Sequence, residues 1–257
     1  MELLQAADPW LPLTLLVFLA GFVDAMAGGG GLITLPAYLA HGLNPALLLG
    51  TNKLSSSMGT AVAAARFFRE TRTRGDILFI LAVLGAAGAA LGAWAVSLVP
   101  PETVRWLLLV CLPPVALTLV ARKDFGFGDT SSRYDGPRLL RRSGAIAGGV
   151  SFYDGLLGPG TGTFLALAFT RLCGYDLLRA TALAKLLNLV SNVAALAAFL
   201  WLGRVDVKLG LAMGLAGMAG NYAGAHVALR RGAWAIRPML LLVSAALLAK
   251  VAWDMFR

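Results

Sequence analysis

The sequence predicts an all-α membrane protein made of two homologous four-segment repeats, inverted relative to each other, each with a glycine-interrupted first segment. Three observations predict this fold: the composition, an internal repeat of charged and glycine residues, and the glycine-rich breaks. Apolar residues of the AVILMFWYC set fill 58% of 257 positions, whereas only 14% are charged. Because a soluble domain averages about 25% charged residues, the outer surface of this chain suits lipid better than water.

Eight apolar stretches approach or exceed the roughly 20 residues that a transmembrane helix needs. They cover residues 11–40, 45–65, 77–99, 103–121, 143–170, 177–202, 207–229 and 234–256. Most of the 30 glycines lie inside them, where small residues let helices pack closely in a bilayer. The sequence has no alternating segments of about ten residues, which mark a membrane β-barrel, so we predict a helical bundle.

The net charge of +9 is concentrated in loops between the apolar stretches. One loop holds Arg66, Arg69, Arg72 and Arg74, and another holds Arg122, Lys123, Arg133, Arg138, Arg141 and Arg142. Such clusters are typical of cytoplasmic loops beside membrane helices, so no nucleic-acid partner is expected. No basic residue precedes the first apolar stretch, whereas a cleaved signal peptide begins with a positive region. We therefore expect that stretch to remain in the mature protein.

The chain repeats itself at an offset of about 130 residues. An offset of 130 aligns Phe22 with Phe152, Asp24 with Asp154, Gly28 with Gly158 and Gly30 with Gly160. Further along the chain, an offset of 132 aligns Lys53 with Lys185, Phe67 with Phe199, Gly88 with Gly220, Gly92 with Gly224 and Arg105 with Arg237. A near-constant offset across several residue types indicates an internal duplication. We assign residues 1–121 to the first repeat, 122–142 to a polar cytoplasmic linker and 143–257 to the second repeat.

The first segment of each repeat contains a helix breaker: four successive glycines, 28–31, and the sequence GPGTG at 158–162. Each helical Gly costs about 1 kcal/mol relative to Ala and an interior Pro about 3 kcal/mol. Breaks at matching places in two repeats indicate a transporter binding site, and a helix that begins after the break directs free N–H groups towards an anion. We therefore predict that Gly29, Gly30, Gly160 and Thr161 bind substrate; the alternative is tight helix packing.

Each broken segment is either a bent span or a hairpin that enters and leaves on one side. Outside Lys53 and Lys185, hairpins put fifteen Lys and Arg on the cytoplasmic side and five on the other, whereas full spans give fourteen and six. The positive-inside tendency of loops thus favours hairpins by a small margin. Hairpins also give each repeat an odd number of crossings, which inverts one repeat relative to the other.

Two lysines, Lys53 and Lys185, lie within apolar stretches at matching positions. An ionisable group inside the bilayer usually faces a cavity or a partner. The two ammonium groups could neutralise an anion held between the repeats. Alternatively, each reaches a membrane interface or pairs with Asp24 or Asp154.

Asp24 and Asp154 stand four residues before the breaks, where they could carry a coupling proton, pair with the lysines or cap free backbone N–H groups. Further polar residues recur at spacings of four, which puts each set on one helix face. They are Asn52 and Ser56 in one repeat, with Thr60 beyond them, and Asn188 and Asn192 in the other. We predict that they bind substrate; the alternative is hydrogen bonding between helices.

Two pairs of glycines spaced by four residues, Gly88 with Gly92 and Gly220 with Gly224, predict close helix packing.

Two pairs of segments resemble the signature regions of the TauE/SafE sulfite exporter family. They are GFVDAMAGGGGLITLP with GTNKLSSSMGT, and FYDGLLGPGTGTFL with AKLLNLVSNVAALAAF. The resemblance covers nearly the whole chain and is strongest to the branch with TNK and FYDG–GPGTG motifs. It implies two four-segment repeats, export of sulfite, sulfoacetate or related sulfur-containing anions across the bacterial inner membrane, and drive by the proton-motive force.

A secondary anion transporter explains the breaks, the buried lysines and the duplication together, and a passive anion channel is the alternative. An enzyme is not expected, because the sequence contains neither an HExxH motif nor a Cys/His grouping. An ATP-driven pump is not expected either, because the sequence contains no nucleotide-binding P-loop. Cys111 and Cys173 lie in apolar stretches without a CxxC motif, so no disulfide framework, metal or other cofactor is expected. The expected partners are a small anionic substrate and the lipid bilayer, with a homodimer left open.

Overall fold

The computed structural model describes residues 10–70, 75–98, 128–134, 136–156, 158 and 160–255. Within these residues the chain is all-helical, with nine α-helices and a short 3-10 helix at Ser131–Arg133. The helices are α1 Trp10–Ala27, α2 Gly31–Ala40, α3 Pro45–Glu70, α4 Gly75–Ser97, α5 Gly136–Leu156, α6 Thr161–Cys173, α7 Leu177–Trp201, α8 Val207–Arg231 and α9 Ala233–Met255. The predicted segment 103–121, most of the linker, Cys111, Arg72, Arg74, Arg105, Arg122 and Lys123 lie outside the described residues.

Three stretches of the described residues are long and apolar enough to cross a membrane: Trp10–Ala27, Ile77–Val96 and Leu177–Trp201. Helices α3, α5 and α8 have 26, 21 and 25 residues, so at about 1.5 Å per residue they also reach the roughly 30 Å of a bilayer core. Glycine and polar residues lower the hydropathy of α3 and α8, and the exposed Arg138, Arg141 and Arg142 lower that of α5. The structure therefore confirms membrane-length apolar helices for three of the eight predicted stretches.

Both glycine-interrupted segments form hairpins. The ring centroids of Trp10, at the start of α1, and His41, just after α2, lie 5.2 Å apart. In the second segment, Arg142 near the start of α5 donates from Nη1 to the carbonyl oxygen of Leu172 near the end of α6, at 2.8 Å. The chain therefore returns to the side from which it entered, which supports the hairpins that the loop charges favour.

Helix α4 packs along α5 through small residues. A Cβ added at Gly88 would overlap the carbonyl oxygen of Gly148, and one added at Gly92 would overlap that of Phe152. The absence of side chains at these two glycines therefore lets the helix backbones touch. This contact confirms the predicted packing role of the first glycine pair.

The same kind of contact joins α8 to α1. A Cβ at Gly220 would overlap the carbonyl oxygen of Phe18, and one at Gly224 would overlap that of Phe22. The second predicted glycine pair is thus also a packing face. In both cases a helix of one predicted repeat packs against the hairpin of the other, so the two halves of the chain are interleaved.

Helix α7 begins after Asp176, whose carboxylate accepts a hydrogen bond from the backbone N–H of Arg179 at 2.9 Å, a typical N-cap. The described part of the predicted linker contacts the same turn, because Arg179 donates to Asp129 at 3.1 Å. Burial raises the pKa of Asp129, but hydrogen bonds from Ser131 and Arg179 outweigh it and leave this pKa below its ordinary value. Helix α5 begins at Gly136, inside the range predicted as linker.

Candidate functional site

The two helix breaks meet in the interior of the bundle. Gly28 has φ +73°, and a Cβ there would overlap the backbone of Gly162 and Thr163. Conversely, a Cβ at Gly162 would lie 2.7 Å from the Cα of Gly28. The hydroxyl of Thr163 donates to the carbonyl oxygen of Ala27 at 2.7 Å, which ties the second break to the first. The predicted interruptions therefore form one continuous region.

A short helix begins immediately after each break. Helix α2 follows the N-cap residue Gly30, and α6 follows Gly160, which has φ +81°. Neither N-cap has a side chain to accept a hydrogen bond from the first turn, and Gly31 and Gly162 of those turns line a cavity. The partial positive charge of a helix N-terminus, equivalent to about half an elementary charge, is thus present twice at this cavity.

The cavity has a volume of about 40 Å³ and lies between the breaks, α3 and α7. Ten of the twelve residues that the sequence singles out line it: Asp24, Gly29, Asn52, Lys53, Ser56, Asp154, Gly160, Thr161, Asn188 and Asn192. Gly30 and Lys185 stand beside it, since Gly30 lines a neighbouring cavity and Lys185 contacts Asp24. The predicted residues are thus brought together from both halves of the chain.

Lys53 is buried, with 5% of the residue exposed. Its ammonium group donates to Asp154 Oδ2 at 2.9 Å and to Asn192 Oδ1 at 2.8 Å. The carboxylate of Asp154 also accepts from the hydroxyls of Thr161 at 2.7 Å and Ser191 at 2.5 Å. This half of the cluster is therefore densely hydrogen-bonded.

Lys185 is 1% exposed and lies against the end of α1. Its ammonium group donates to the backbone carbonyl of Asp24 and lies 3.2 Å from Asp24 Oδ2. The other carboxylate oxygen of Asp24 accepts from the backbone N–H of Gly30 at 3.3 Å. Asp24 thus pairs with a lysine and caps a backbone donor at the break, two of the roles left open for it.

The two ion pairs cross between the halves, because Lys53 pairs with Asp154 and Lys185 pairs with Asp24. Two ammonium groups and two carboxylates give this cluster no net charge. Removing one partner of a buried pair typically costs about 3–5 kcal/mol because the other charge is left uncompensated. The pairing with aspartate that the sequence left as an alternative for the lysines is therefore present, while Lys53 also lines the cavity.

A second cavity of about 20 Å³ adjoins the first and shares Asp24 and Ser56 with it. Its lining also includes Thr60 and Asn221. The Asn221 Nδ2 group donates to the carbonyl oxygen of Gly217 at 3.0 Å, whereas its Oδ1 has no hydrogen-bond partner in the described part of the chain. This orphaned acceptor makes the cavity suitable for a donor such as water.

Several polar residues of the site have no place in the sequence prediction. Ser191 lies three residues after Asn188 and is therefore near it on the same helix face. A search for polar residues at a spacing of four misses Ser191, whereas a spacing of three would have found it. Thr34 donates to Asn52 Oδ1 at 2.5 Å, and Asn221 lies on a helix predicted only to pack. No spacing rule could find the last two, because their partners are distant in sequence.

Within the described ranges, no group of three or more His, Cys, Asp or Glu side chains is placed to hold a metal ion. The side chains that are present suit an oxyanion instead. They supply an ammonium group, amides and hydroxyls, and the two helix N-termini add polarised N–H groups. Such groups bind anions through charge-assisted hydrogen bonds.

A comparison with protein families matches residues 13–251 to the family described as "Sulfite exporter TauE/SafE". The chain is 39% identical over 237 residues to the "Probable membrane transporter protein ORF9" of Sinorhizobium sp, covering 92% of this chain and 90% of that protein. It is 39% identical over 238 residues to the "Probable membrane transporter protein YfcA" of Escherichia coli strain K12, covering 92% and 87%. No solved structure matches the chain.

Proposed function

The chain belongs to the sulfite exporter TauE/SafE family, and from that premise we propose that it is a secondary transporter that exports small sulfur-containing anions, such as sulfite or organosulfonates, by proton coupling. The family and the relatives are membrane transporters, so the chain is a multi-pass membrane transporter and not an enzyme. We assign it to the inner membrane because its relatives are bacterial and outer-membrane proteins are typically β-barrels.

The observation that carries the anion assignment is the cavity between the two breaks. Its hydrogen-bond donors come from one buried ammonium group, three amides, two hydroxyls and two helix N-termini. We assign substrate binding to Lys53, Lys185, Asn52, Ser56, Asn188, Asn192, Gly29, Gly30, Gly160 and Thr161. A cavity of about 40 Å³ suits a small anion, because a single water needs about 10–15 Å³ by the same kind of measure.

We also propose that the two halves are inverted repeats. Two matching contacts support this: the second-half helix α8 packs on the first-half hairpin, and the first-half helix α4 packs on the second-half hairpin. The ion pairs Lys53–Asp154 and Lys185–Asp24 exchange partners in the same way. A binding site at the interface of two inverted repeats allows each gate to open in turn while the site stays in place.

Proton-coupled transport is favoured over a passive channel by the form of the site. A channel needs a continuous water-filled path, whereas this cavity is small and adjoins tightly packed glycine backbones. Buried carboxylates beside the anion site offer groups that can bind a proton. Flux that ignores the proton gradient would instead identify a channel. The homodimer that the sequence leaves open stays open.

The proposal is tested by a thermal-shift screen of purified protein with sulfite, thiosulfate, sulfoacetate and a simple carboxylate such as acetate. We expect at least one sulfur-containing anion to raise the unfolding temperature more than acetate does, because a ligand that binds only the folded state stabilises it. The same anion should accumulate in proteoliposomes only while a pH gradient is maintained. No stabilisation by any sulfur anion would contradict the substrate class, and accumulation without the gradient would contradict the coupling.

A further inference from the structure

The two carboxylates of the central cluster are held very differently. Asp154 accepts from Lys53, Thr161 and Ser191 at 2.9, 2.7 and 2.5 Å, and its side chain is 2% exposed. The side chain of Asp24 makes two longer contacts, with Lys185 Nζ at 3.2 Å and with the backbone N–H of Gly30 at 3.3 Å. This side chain is 14% exposed. Asp24 is therefore held by fewer and longer hydrogen bonds than Asp154 and is the more accessible of the two carboxylates.

An anion that binds beside these carboxylates changes the charge balance of the cluster. The cluster of two lysines and two aspartates is neutral before the anion arrives. A bound monoanion would add one full negative charge, which the helix N-termini offset only in part because each is equivalent to about half an elementary charge at most and is shared with solvent and backbone. Protonation of one aspartate restores neutrality, because the freed ammonium group then balances the anion.

We propose that Asp24 is the carboxylate that takes up the coupling proton when the anion binds. The proposal rests on the proposed function, which it deepens by naming the proton-binding residue. Because the proton then crosses the membrane together with the anion, the outward gradient of the anion drives the export. The proton adds to a carboxylate oxygen of Asp24, the ion pair with Lys185 is released, and the positive charge of the cluster balances the anion. Asp154 keeps its charge and holds Lys53 and Thr161 in place.

The second cavity gives the proton a route that bypasses the anion. Asp24 and Ser56 line both cavities, and Thr60 lies one helical turn beyond Ser56 on α3. The volume of about 20 Å³ is enough for one water. Asn221 is 3% exposed, and its Oδ1, which has no partner among the described residues, offers this water an acceptor. A hydrogen-bonded chain from this water to Asp24 can carry a proton while the other cavity holds the anion.

The other ionisable groups near Asp24 do not offer the same combination. Helix α7 contributes Lys185, α3 contributes Lys53 and α5 contributes Asp154, whereas α2, α6, α8 and α9 face Asp24 or the adjoining breaks with glycine, hydroxyl, amide or aliphatic groups. Both lysines must remain charged to bind the anion. Among the described residues that line the two cavities, Asp24 is therefore the weakly held carboxylate that contacts both.

The test measures binding of methanesulfonate, a strong-acid anion that does not titrate near neutral pH, together with the protons taken up on binding. For the wild type we expect about one proton per anion and a loss of affinity of about tenfold per pH unit on the alkaline side. Asp24→Asn should bind with no proton uptake and no pH dependence, because the amide mimics the neutral acid. Asp24→Glu should restore both, and Asp176→Asn, where the amide still caps α7, should behave as wild type.

Infrared difference spectra of the wild type provide a second measurement if Asp24→Asn does not fold. Addition of methanesulfonate should produce the band of one protonated carboxyl group. Proton uptake that persists in Asp24→Asn, or anion binding by the wild type without any proton or carboxyl band, would overturn the assignment while leaving anion transport intact. If no sulfur-containing anion binds the wild type, the proposed function itself fails.

Discussion

A buried ammonium group needs a counter-charge, and Lys53 finds it in the carboxylate of Asp154, with the amide oxygen of Asn192 as a further acceptor. Lys185 has Asp24 in the same role. These contacts hold the two halves of the chain together, and we propose that the lysines also provide the positive charge for an anion. The two tasks can be separated by experiment.

At the residue scale, we expect Lys53→Ala to abolish anion transport and to lower the free energy of unfolding by about 3–5 kcal/mol, because Asp154 is left buried without its partner. The double variant Lys53→Ala/Asp154→Ala should recover part of that stability but still fail to bind anion. Thermal unfolding and flux in proteoliposomes measure the two effects. Near-normal flux in Lys53→Ala would remove this lysine from the site.

The positions of these residues and the two candidate aspartates could be predicted from sequence, but which lysine meets which aspartate could not. An ionisable residue in an apolar stretch must be partnered, and the repeat offset identifies Lys53 with Lys185 and Asp24 with Asp154. The offset indicates which residues are equivalent, not which residues meet. The crossing of the pairs between halves depends on how the helices interleave, and this tertiary arrangement leaves no local pattern.

At the element scale, the glycine breaks are places where two backbones touch. Gly28→Ala should abolish transport and destabilise the fold, because a Cβ would overlap the backbone of Gly162 and because φ is +73°. Gly149→Ala is the matched control, since an added Cβ would meet no atom within 4 Å apart from the neighbouring backbone of its own helix. In that helix interior, alanine should be neutral or should stabilise by up to about 1 kcal/mol. Expression, unfolding temperature and flux of the two variants make the comparison.

A well-folded and active Gly28→Ala protein would show that the breaks do not pack as described.

The positions of the breaks could be predicted from sequence, because glycine tracts cannot sustain a helix in lipid. Helix ends are harder to predict, since α3 continues to Glu70, past the apolar limit at residue 65, and α5 starts before residue 143. Helices extend beyond the hydrocarbon where arginine side chains reach the polar interface, so hydropathy underestimates their length.

At the scale of the whole molecule, inversion of the repeats requires that the two hairpins open on opposite sides of the membrane. Ala46 follows the first hairpin and Ser132 precedes the second, and both are exposed. In a background with both native cysteines replaced by serine, we expect Ala46→Cys to react with an impermeant thiol reagent in intact cells. Ser132→Cys should react only after the membrane is opened.

Labelling of both positions from the same side would contradict inverted repeats.

The sequence alone favours this topology by a narrow difference in loop charge. The difference is narrow because the hairpin model and the full-span model put most loop charges on the same side of the membrane. The hairpin contacts of Trp10 with His41 and of Arg142 with Leu172 give independent support. Such contacts join helix ends that are about thirty residues apart, which periodicity cannot detect.

The central claim is that the paired breaks and the buried lysines form a chamber that holds the transported anion. Anomalous scattering from protein crystals soaked with selenite, the heavier analogue of sulfite, tests it most directly. We predict a selenium peak between the N-termini of α2 and α6, within hydrogen-bond distance of Lys53 Nζ. A bound selenite found only at the protein surface, with the chamber holding none, would contradict the account.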